Sequence, residues 1–552
     1  MSAQIRTVFH TVVILIGATL SINAQQISIP DPGLNGAIRD ALHKPTGPLT
    51  TQDMLSLTKL DASRRNVRHI DGLETARNLV SLNLQINLLT NVALPSTLTR
   101  LFDLDLSANS LTNCFLPSGI TNLASLTMEG NSLRDLILPT DLTALTNLDL
   151  ENNQFATFPS LSKLTNLVSL DLGFNLFTNF SLPAGLSKLR TFYFAGNPLT
   201  NVVLPAGLSH MTELNVSQGL LTSFTLPEGL TNLVELDLAF NQLARLTLPA
   251  DLRNLADLDL DFNQFGRVSF PSNLSNLRSL HLRANQFINF SVPADLTGLM
   301  LLDVSANPLT DITLPVTLNS LVTLRLSENR LTSFTLPMGL TNLVQINLSL
   351  NQLTNVVLPT DLDHLETLNL GGNQLRSITL PAGLTHLIGL FLTGNQLTDV
   401  TLPPDMTALT DFGFLGNPLT TLVLSEPLAN TNLAELVASL REQGVSVFPY
   451  PLTIQLVRLG QPPGAFQFEI TGPPGVYAIA TSTDLLQWPK LTAVTNTLGA
   501  IVFTDVTAPL SPLKFYTVFL ETPPPNMVFV APNTFTVGSP ANDQDRQANE
   551  GP

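Results

Sequence analysis

Asparagine recurs at a constant interval of 22 residues through most of this chain, and that interval limits the folds the chain can adopt. From Asn87 to Asn417 it fills 15 of 16 successive positions, with Gly219 as the exception. Around it runs the pattern L-x-x-L-x-L-x-x-N-x-L, as in "LVELDLAFNQL" at 233–243. One such unit has too little apolar surface to fold alone, so stacked copies must bury it against one another. The sequence therefore predicts a repeat solenoid.

The residues inside one repeat predict the local structure of each coil. The L-x-L pair alternates apolar and polar side chains, which predicts a short parallel strand with one buried face. The recurrent Asn is expected to be buried and to bond backbone groups of the adjacent coil, forming a ladder. Most repeats also carry "LP" followed by "AGL" or "TDL", as at 180–186. Since Pro and Gly oppose a regular helix, the opposite side should be extended or irregular, with little helix.

This pattern resembles the leucine-rich repeat family over roughly residues 57–424. A weaker copy, "LTKLDASRRNV" at 57–67, has Arg65 in the Asn position and is expected to act as a capping repeat. The segment 29–44 has Asp31 as a helix N-cap and Pro32 in the first turn. It is similar to the N-terminal caps of internalin-like bacterial proteins. The resemblance implies a bacterial, exported binding protein with its ligand surface on the concave face, where the parallel strands lie.

Both ends of the chain carry segments that differ from the repeats. Arg6, the apolar run at 12–20 and Ala24 form the pattern of a secretory signal, which predicts a secreted or cell-surface protein with no membrane span after cleavage. Short alternating strands follow the repeats and predict a small all-β, sandwich-like module. The predicted organisation is a signal peptide (1–24), N-terminal helical cap (25–56), solenoid (57–424), C-terminal cap (425–449), all-β module (450–521), and Pro-rich linker with the start of a further domain (522–552).

The last segment resembles the opening of the formylglycine-generating, or sulfatase-modifying factor, family. The matching residues are Met527, Val528, Pro532, Phe535, Gly538, Ser539 and Pro540. Asn533 and Val537 depart from that family's pattern, and Pro552 comes before its catalytic cysteines and metal ligands. The resemblance thus implies no such catalysis in this chain. It leaves open that the repeats are the targeting region of a longer protein.

Composition excludes several classes of function. The net charge of −16 and the isoelectric point near 4.7 oppose binding to nucleic acid, which requires a basic surface. The single cysteine, Cys114, cannot form an intrachain disulfide and occupies a core position of its repeat. Seven histidines without metal-ligand spacing give no zinc signature. We therefore expect no cofactor, no metal and no enzymatic activity.

The candidate site lies on three outward positions of each strand, which precede the Asn position by six, four and two residues. We call these the first, middle and third columns. Around "ADLDLDFN" at 256–263 they combine carboxylates, aromatic residues and a basic edge, which suits recognition of a protein or a glycan. The candidate residues are Tyr193, Glu213, Glu235, Asp237, Phe240, Asp257, Asp259, Asp261, Phe262, His281 and Arg283.

Other interpretations of these residues remain open from the sequence alone. The aspartates would be tolerated as a solvated acidic face, because exposed like charges about 5 Å apart repel by only about 1 kcal/mol in water. Clustered carboxylates also suit calcium, and His281 beside Asp259 is a conceivable general base. Arg283 would equally serve as a simple ion-pair partner. A purely structural role at the cell surface is a further alternative.

Overall fold

A computed structural model describes residues 26–158, 161–459, 465–508 and 514–521. The chain divides into two compact units between Phe177 and Thr178, and each is described by itself. The predicted signal peptide and the segment that resembles the sulfatase-modifying factor family lie outside the described residues.

Each coil contributes one three-residue strand to a parallel sheet, and we call these the inner strands. The strands pair in register at intervals of 22 residues, so that Leu236, Leu258 and Leu280 are neighbours and are buried. The first unit has the inner strands Lys59–Asp61, Ser81–Asn83, Asp103–Asp105, Ser125–Thr127, Asn147–Asp149 and Ser169–Asp171. The second unit has Thr191–Tyr193, Glu213–Asn215, Glu235–Asp237, Asp257–Asp259, Ser279–His281, Leu301–Asp303, Thr323–Arg325, Gln345–Asn347, Thr367–Asn369, Gly389–Phe391 and Asp411–Gly413.

The other side of the coils is built from short parallel pairs of strands and turns, as the Pro- and Gly-containing segments predict. In the first unit these outer strands are Asn91–Ala93 and Asn113–Phe115. In the second they are Asn179–Ser181, Asn201–Val203, Asn289–Ser291, Asp311–Thr313, Ser333–Thr335, Asn355–Val357, Asp399–Thr401, Thr421–Ser425 and Ser446–Tyr450. The leucine-rich repeat solenoid with little helix is thus confirmed.

The recurrent asparagines form the predicted ladder, which Asn263 illustrates. Its Nδ2 donates to the carbonyl oxygens of Leu238 at 2.9 Å, Leu260 at 3.2 Å and Asp261 at 3.1 Å. Its Oδ1 accepts from the backbone N–H of Leu243 at 3.0 Å. A buried amide side chain therefore satisfies backbone groups of two coils that have no other partner in a strand.

Gly219 interrupts the ladder, and the backbone compensates locally. In other coils, the N–H twenty residues before the ladder residue donates to the Oδ1 of that residue. Before Gly219, this N–H belongs to Leu199. Here it donates to the carbonyl oxygen of Asn197 at 2.7 Å. An added Cβ on Gly219 would lie 2.7 Å from Oδ1 of Asn241, so the missing side chain leaves no empty space.

A helical cap covers the first end of the core. Helix Pro32–Ala41 begins at Asp31, whose Oδ1 accepts from the N–H of Leu34 at 2.9 Å. The other oxygen of Asp31 accepts from the N–H groups of Arg68 and His69, which fixes the helix to the first coil. The cap also contains the short antiparallel pair Gln26–Ile27 and Leu49–Thr50, helix Thr51–Ser56 and the 3₁₀ turn Leu73–Thr75.

Two helices and a strand follow the last repeats, and six strands follow these. Helices Glu426–Asn430 and Ala434–Glu442 precede Gly444, which has φ of 87°, and the outer strand Ser446–Tyr450. The module has two three-stranded sheets, around a core that includes Phe468, Ile470, Tyr477 and Ile479. Its strands are Gln455–Arg458, Phe466–Thr471, Gly475–Ser482, Lys490–Asn496, Ala500–Asp505 and Phe515–Leu520.

Candidate binding face on the inner strands

All the candidate residues lie on inner strands of the second unit or directly after them. In the first column, Glu213, Glu235 and Asp257 occupy the same position on three adjacent strands. In the middle column, the order across the sheet is Tyr193, Asn215, Asp237, Asp259, His281 and Asp303. The structure therefore brings the candidate residues together, with Tyr193 at one edge and His281 at the other. We call this group of residues the patch.

The middle column has a structural task that explains its many Asp and Asn residues. Oδ1 of Asp259 accepts from the N–H of Asp261 at 2.9 Å, and Oδ1 of Asp237 accepts from the N–H of Ala239 at 2.9 Å. The same bond recurs at Asn215. This side-chain turn satisfies a backbone donor where the strand ends. One oxygen of each middle-column carboxylate is thus already occupied.

His281 has no side-chain oxygen to accept the corresponding N–H two residues later. Asp261 of the preceding coil accepts this N–H instead. Oδ1 of Asp261 accepts from the N–H of Arg283 at 2.6 Å. The guanidinium of Arg283 forms an ion pair, although with a glutamate rather than with the aspartates beside it. Its Nη2 lies 3.8 Å from Oε1 of Glu328, two coils further on, and its Cζ lies 6.0 Å from the ring centroid of Phe262.

Carboxylates of the patch destabilise one another's charged forms. Burial and the charge of Asp259 raise the pKa of Asp261 to about 7. Burial and the charge of Asp237 also raise the pKa of Asp259, although His281 acts in the opposite direction. Burial together with Glu213 and Asp257 raises the pKa of Glu235. The patch therefore carries negative charge that the surrounding protein compensates only in part.

Two exposed phenylalanines stand at the edge of the acidic columns. Phe240 and Phe262 occupy the position directly before the ladder residue, which we call the rim position. Their rings stack with centroids 4.3 Å apart and an interplanar angle of 8°. They remain 50% and 40% exposed, although each has a positive φ, near 54° and 53°. Residues at the rim position of many other coils share this left-handed backbone, so the angle belongs to the repeat. The two exposed, stacked rings are what distinguishes this part of the face.

Tyr193 closes the other edge of the patch by a contact with the first column. Its hydroxyl donates to Oε2 of Glu213. This bond keeps the ring of Tyr193 over the inner strands and orients the carboxylate of Glu213. Among the described residues, no hydrogen bond joins the side chain of His281 to a serine or cysteine that it could activate as a general base.

The first unit contains an acidic cluster of its own. Oxygens of Asp149, Glu151 and Asp171 all lie within 4.8 Å of one another, a set that could hold a metal ion. Burial and the charges of Asp149 and Glu151 raise the pKa of Asp171 to about 7. One oxygen of Asp149 and one of Asp171 already accept backbone N–H groups. The sequence analysis did not predict this convergence.

A groove beside the inner strands was also missed from the sequence. In many coils an Asn or His lies nine residues before the ladder position and bonds the preceding coil. Examples are Asn276 to the carbonyl oxygen of Arg253 at 2.8 Å and Asn342 to that of Asn319 at 2.7 Å. Gly298 and Ser320 interrupt this second series. A groove of about 500 Å³ lies there, and its lining includes Arg278, Met300, Val322, Val344 and His364.

Comparison with known proteins identifies the repeats. Leucine Rich repeats match at residues 143–184 and 363–404, and the BspA type Leucine rich repeat region matches in six copies at 173–298. Neither description names a catalytic family. No protein of curated function matches the chain. The chain therefore carries leucine-rich repeats, as predicted.

Several solved structures are similar to this chain. The functional domain of InlJ from Listeria monocytogenes, which includes a cysteine ladder, is 17% identical, with 80% of this chain and 94% of that chain covered and a TM-score of 0.50. YopM from Yersinia enterocolitica is 24% identical, with coverage of 71% and 92% and a TM-score of 0.49. The internalin InlF from Listeria monocytogenes is 21% identical, with coverage of 76% and 95% and a TM-score of 0.37. Among the described residues, no helix is both long and apolar enough to cross a membrane.

Proposed function

We propose that this protein is an exported, non-catalytic binding protein that recognises a protein or glycan partner through the face of its inner strands in the second unit. The observation that carries the proposal is the patch around Asp257. It combines carboxylates on adjacent strands with the exposed stack of Phe240 and Phe262. Leucine-rich repeat solenoids commonly present such a face to a partner, which supports a binding role.

The experiment must separate recognition from folding, and the hydrogen bonds determine which residues to change. Asp237 and Asp259 bond backbone N–H groups, so their replacement by lysine would disturb the strands. Glu235 and Asp257 lie in the first column, and among the described residues neither accepts a backbone bond of this kind. Glu235→Lys with Asp257→Lys is therefore the informative charge reversal.

Ligands captured from the protein's natural surroundings would be compared for the wild type and this double variant. A matched control reverses two charges away from the inner strands, at Glu228 and Asp311, both of which are exposed. We expect the patch variant to lose binding while the control retains it. Capture of every ligand equally by all three proteins would refute a binding role for this face.

Export and a bacterial origin are part of the proposal: export rests on the signal-like N-terminus, and the bacterial origin on the resemblance of segment 29–44 to internalin-like caps. Mass spectrometry of the mature chain should find an N-terminus directly after Ala24. A mature protein that retains Met1 and the apolar run at 12–20 would contradict cleavage and favour an anchored protein.

A second function rests on residues 527–540, which resemble the start of the sulfatase-modifying factor family. In that case the repeats are the targeting region of a longer protein. The coding sequence downstream of Pro552 tests this directly, and a stop codon there, with no further homology, would remove the idea.

A further inference from the structure

We propose that the partner of the patch is an extended protein segment with lysine or arginine at about every third residue. This inference rests on the proposed function and deepens it, because it assigns the chemistry of the partner. It follows from three properties of the patch: its charge, its spacing and its aromatic edge.

The charge of the patch is strongly one-sided. Its acidic residues lie on three adjacent strands and the turn that follows one of them: Glu213, Glu235, Asp237, Asp257, Asp259 and Asp261. None of these six forms an ion pair with a side chain in the described ranges. The nearby guanidinium of Arg283 faces Glu328 and Phe262 instead. A cationic partner supplies the countercharge that the protein itself does not provide.

The spacing of the first column fits an extended peptide that crosses the strands. Neighbouring strands lie about 4.8 Å apart, so Glu213 and Asp257 are separated by about 10 Å along the sheet. In an extended polyproline-like segment, three residues advance by about 9 Å. Basic residues at positions i and i+3 of such a segment would therefore lie over Glu213 and Asp257, with Glu235 between them.

The phenylalanine stack offers a second way to hold a cation. Aromatic faces attract ammonium and guanidinium groups within about 6 Å of the ring centroid. Arg283 already places its guanidinium carbon 6.0 Å from the centre of Phe262, which shows that this edge accommodates one. The paired rings also bury the alkyl stem of a lysine or arginine, which a simple acidic surface does not.

Other ligand classes fit these observations less well. A neutral glycan could stack on Phe240 and Phe262, but it would leave the six carboxylates uncompensated. For a metal ion, the described residues that meet the spacing of ligands are Asp149, Glu151 and Asp171, and none of them belongs to the patch. A cationic segment uses both the carboxylates and the rings.

The test measures binding of short synthetic peptides to the full chain by fluorescence anisotropy. One peptide has lysine at every third position, and a control peptide has glutamine at the same positions. A neutral oligosaccharide is the third probe. The patch variant is Glu235→Gln with Asp257→Asn, and a second variant is Phe240→Ala. The control, Glu228→Gln with Asp311→Asn, has the same net charge as the patch variant. Circular dichroism confirms that each variant is folded.

We expect the lysine peptide alone to bind. The patch variant should weaken its binding about tenfold, as expected for the loss of two close charges. Phe240→Ala should weaken it about threefold, in keeping with a partly exposed cation–aromatic contact. The control should bind like the wild type, and raising the salt from about 0.05 to about 0.5 M should weaken binding strongly.

The lysine peptide tests the inference, and the remaining probes then show whether the proposed function fails with it. If the lysine peptide fails to bind, or binds the control and the patch variant equally, the cationic partner is wrong. If the oligosaccharide or the glutamine peptide then binds in a way that the patch variant abolishes, the face still binds a ligand. If no probe and no natural ligand responds to the patch variant, both the inference and the proposed function fail.

Discussion

The buried ladder and the outward columns lie only a few residues apart in each repeat, yet they differ in how they vary. The ladder residue is Asn in nearly every coil, and at Asn241, Asn263 and Asn285 it makes the same set of backbone bonds. The outward columns change from coil to coil, as from Asp259 to His281. Identical coils must satisfy identical backbone groups, whereas outward side chains have no such obligation unless they bond a backbone N–H, as Asp237 and Asp259 do. Specificity can therefore differ between coils without a change of fold.

The largest effect should come from breaking a ladder contact. Asn263→Ala removes donors and an acceptor that satisfy buried backbone groups of Leu238, Leu243 and Leu260. We expect a loss of about 1–3 kcal/mol in the free energy of unfolding, the usual cost of buried groups left unpaired. Urea denaturation measures it, with Gln264→Ala, an exposed neighbour, as the control. Equal losses for the two variants would show that the ladder contributes little.

A smaller effect is expected where the ladder is already interrupted. Gly219→Ala places a Cβ 2.7 Å from Oδ1 of Asn241, so that the neighbouring contact must shift. Overpacking of this kind costs about 1–3 kcal/mol, and we expect a value near the lower end because the obstacle is one side-chain atom.

Gly266→Ala is the matched control for Gly219→Ala, since the nearest neighbour of its added Cβ would be the carbonyl oxygen of Gln286 at 3.8 Å. If both alanine variants have the same urea midpoint, the coil at Gly219 has room that the structure does not show.

The smallest effect concerns the outward columns and depends on pH. The pKa of Asp261 is raised to about 7 in the folded protein, so its ionisation favours the unfolded chain. The folded state gains stability from this group as the pH falls from above 7 towards 4, and loses it as the pH rises through 7. Asp261→Asn abolishes that dependence and retains an oxygen for the N–H of Arg283. We expect the variant to melt about 2 °C higher than the wild type at pH 8.

At pH 5 the difference between Asp261→Asn and the wild type should shrink. Asp311→Asn, on an outer strand, reports the effect of removing one surface carboxylate. A difference in Tm that is the same at pH 5 and pH 8 would contradict the raised pKa of Asp261.

Most of the fold could be predicted because its rules repeat. The period of two in L-x-L places Leu258 and Leu260 inside, and the period of 22 places their equivalents together. The same periods predicted which residues share the outward face of the inner strands, including Glu235 and Asp257. The caps followed from local signals, such as Asp31 before Pro32.

The contacts within the face could not be predicted, because they depend on side-chain directions rather than on positions. Arg283 lies beside the aspartates but turns to Glu328, and Asp261 bonds the next coil because His281 replaces the usual acceptor. The groove could not be predicted either. The second series of Asn and His residues is visible in the sequence, but it is interrupted at Arg100, Ala144 and Lys188 as well as at Gly298 and Ser320.

The left-handed rim position has a practical consequence for engineering. Its backbone angle is retained whether the residue is Phe262, Glu328, Leu350 or Gly372, so the side chain there can be exchanged without touching the interior. Leu350 is 57% exposed. The only natural cysteine, Cys114, is buried, and burial raises the pKa of its thiol to about 12, which makes it unreactive. A single cysteine introduced at Leu350 would thus accept a dye or a cross-linker selectively, and similar replacements at other rim positions would allow the coils to be labelled one at a time.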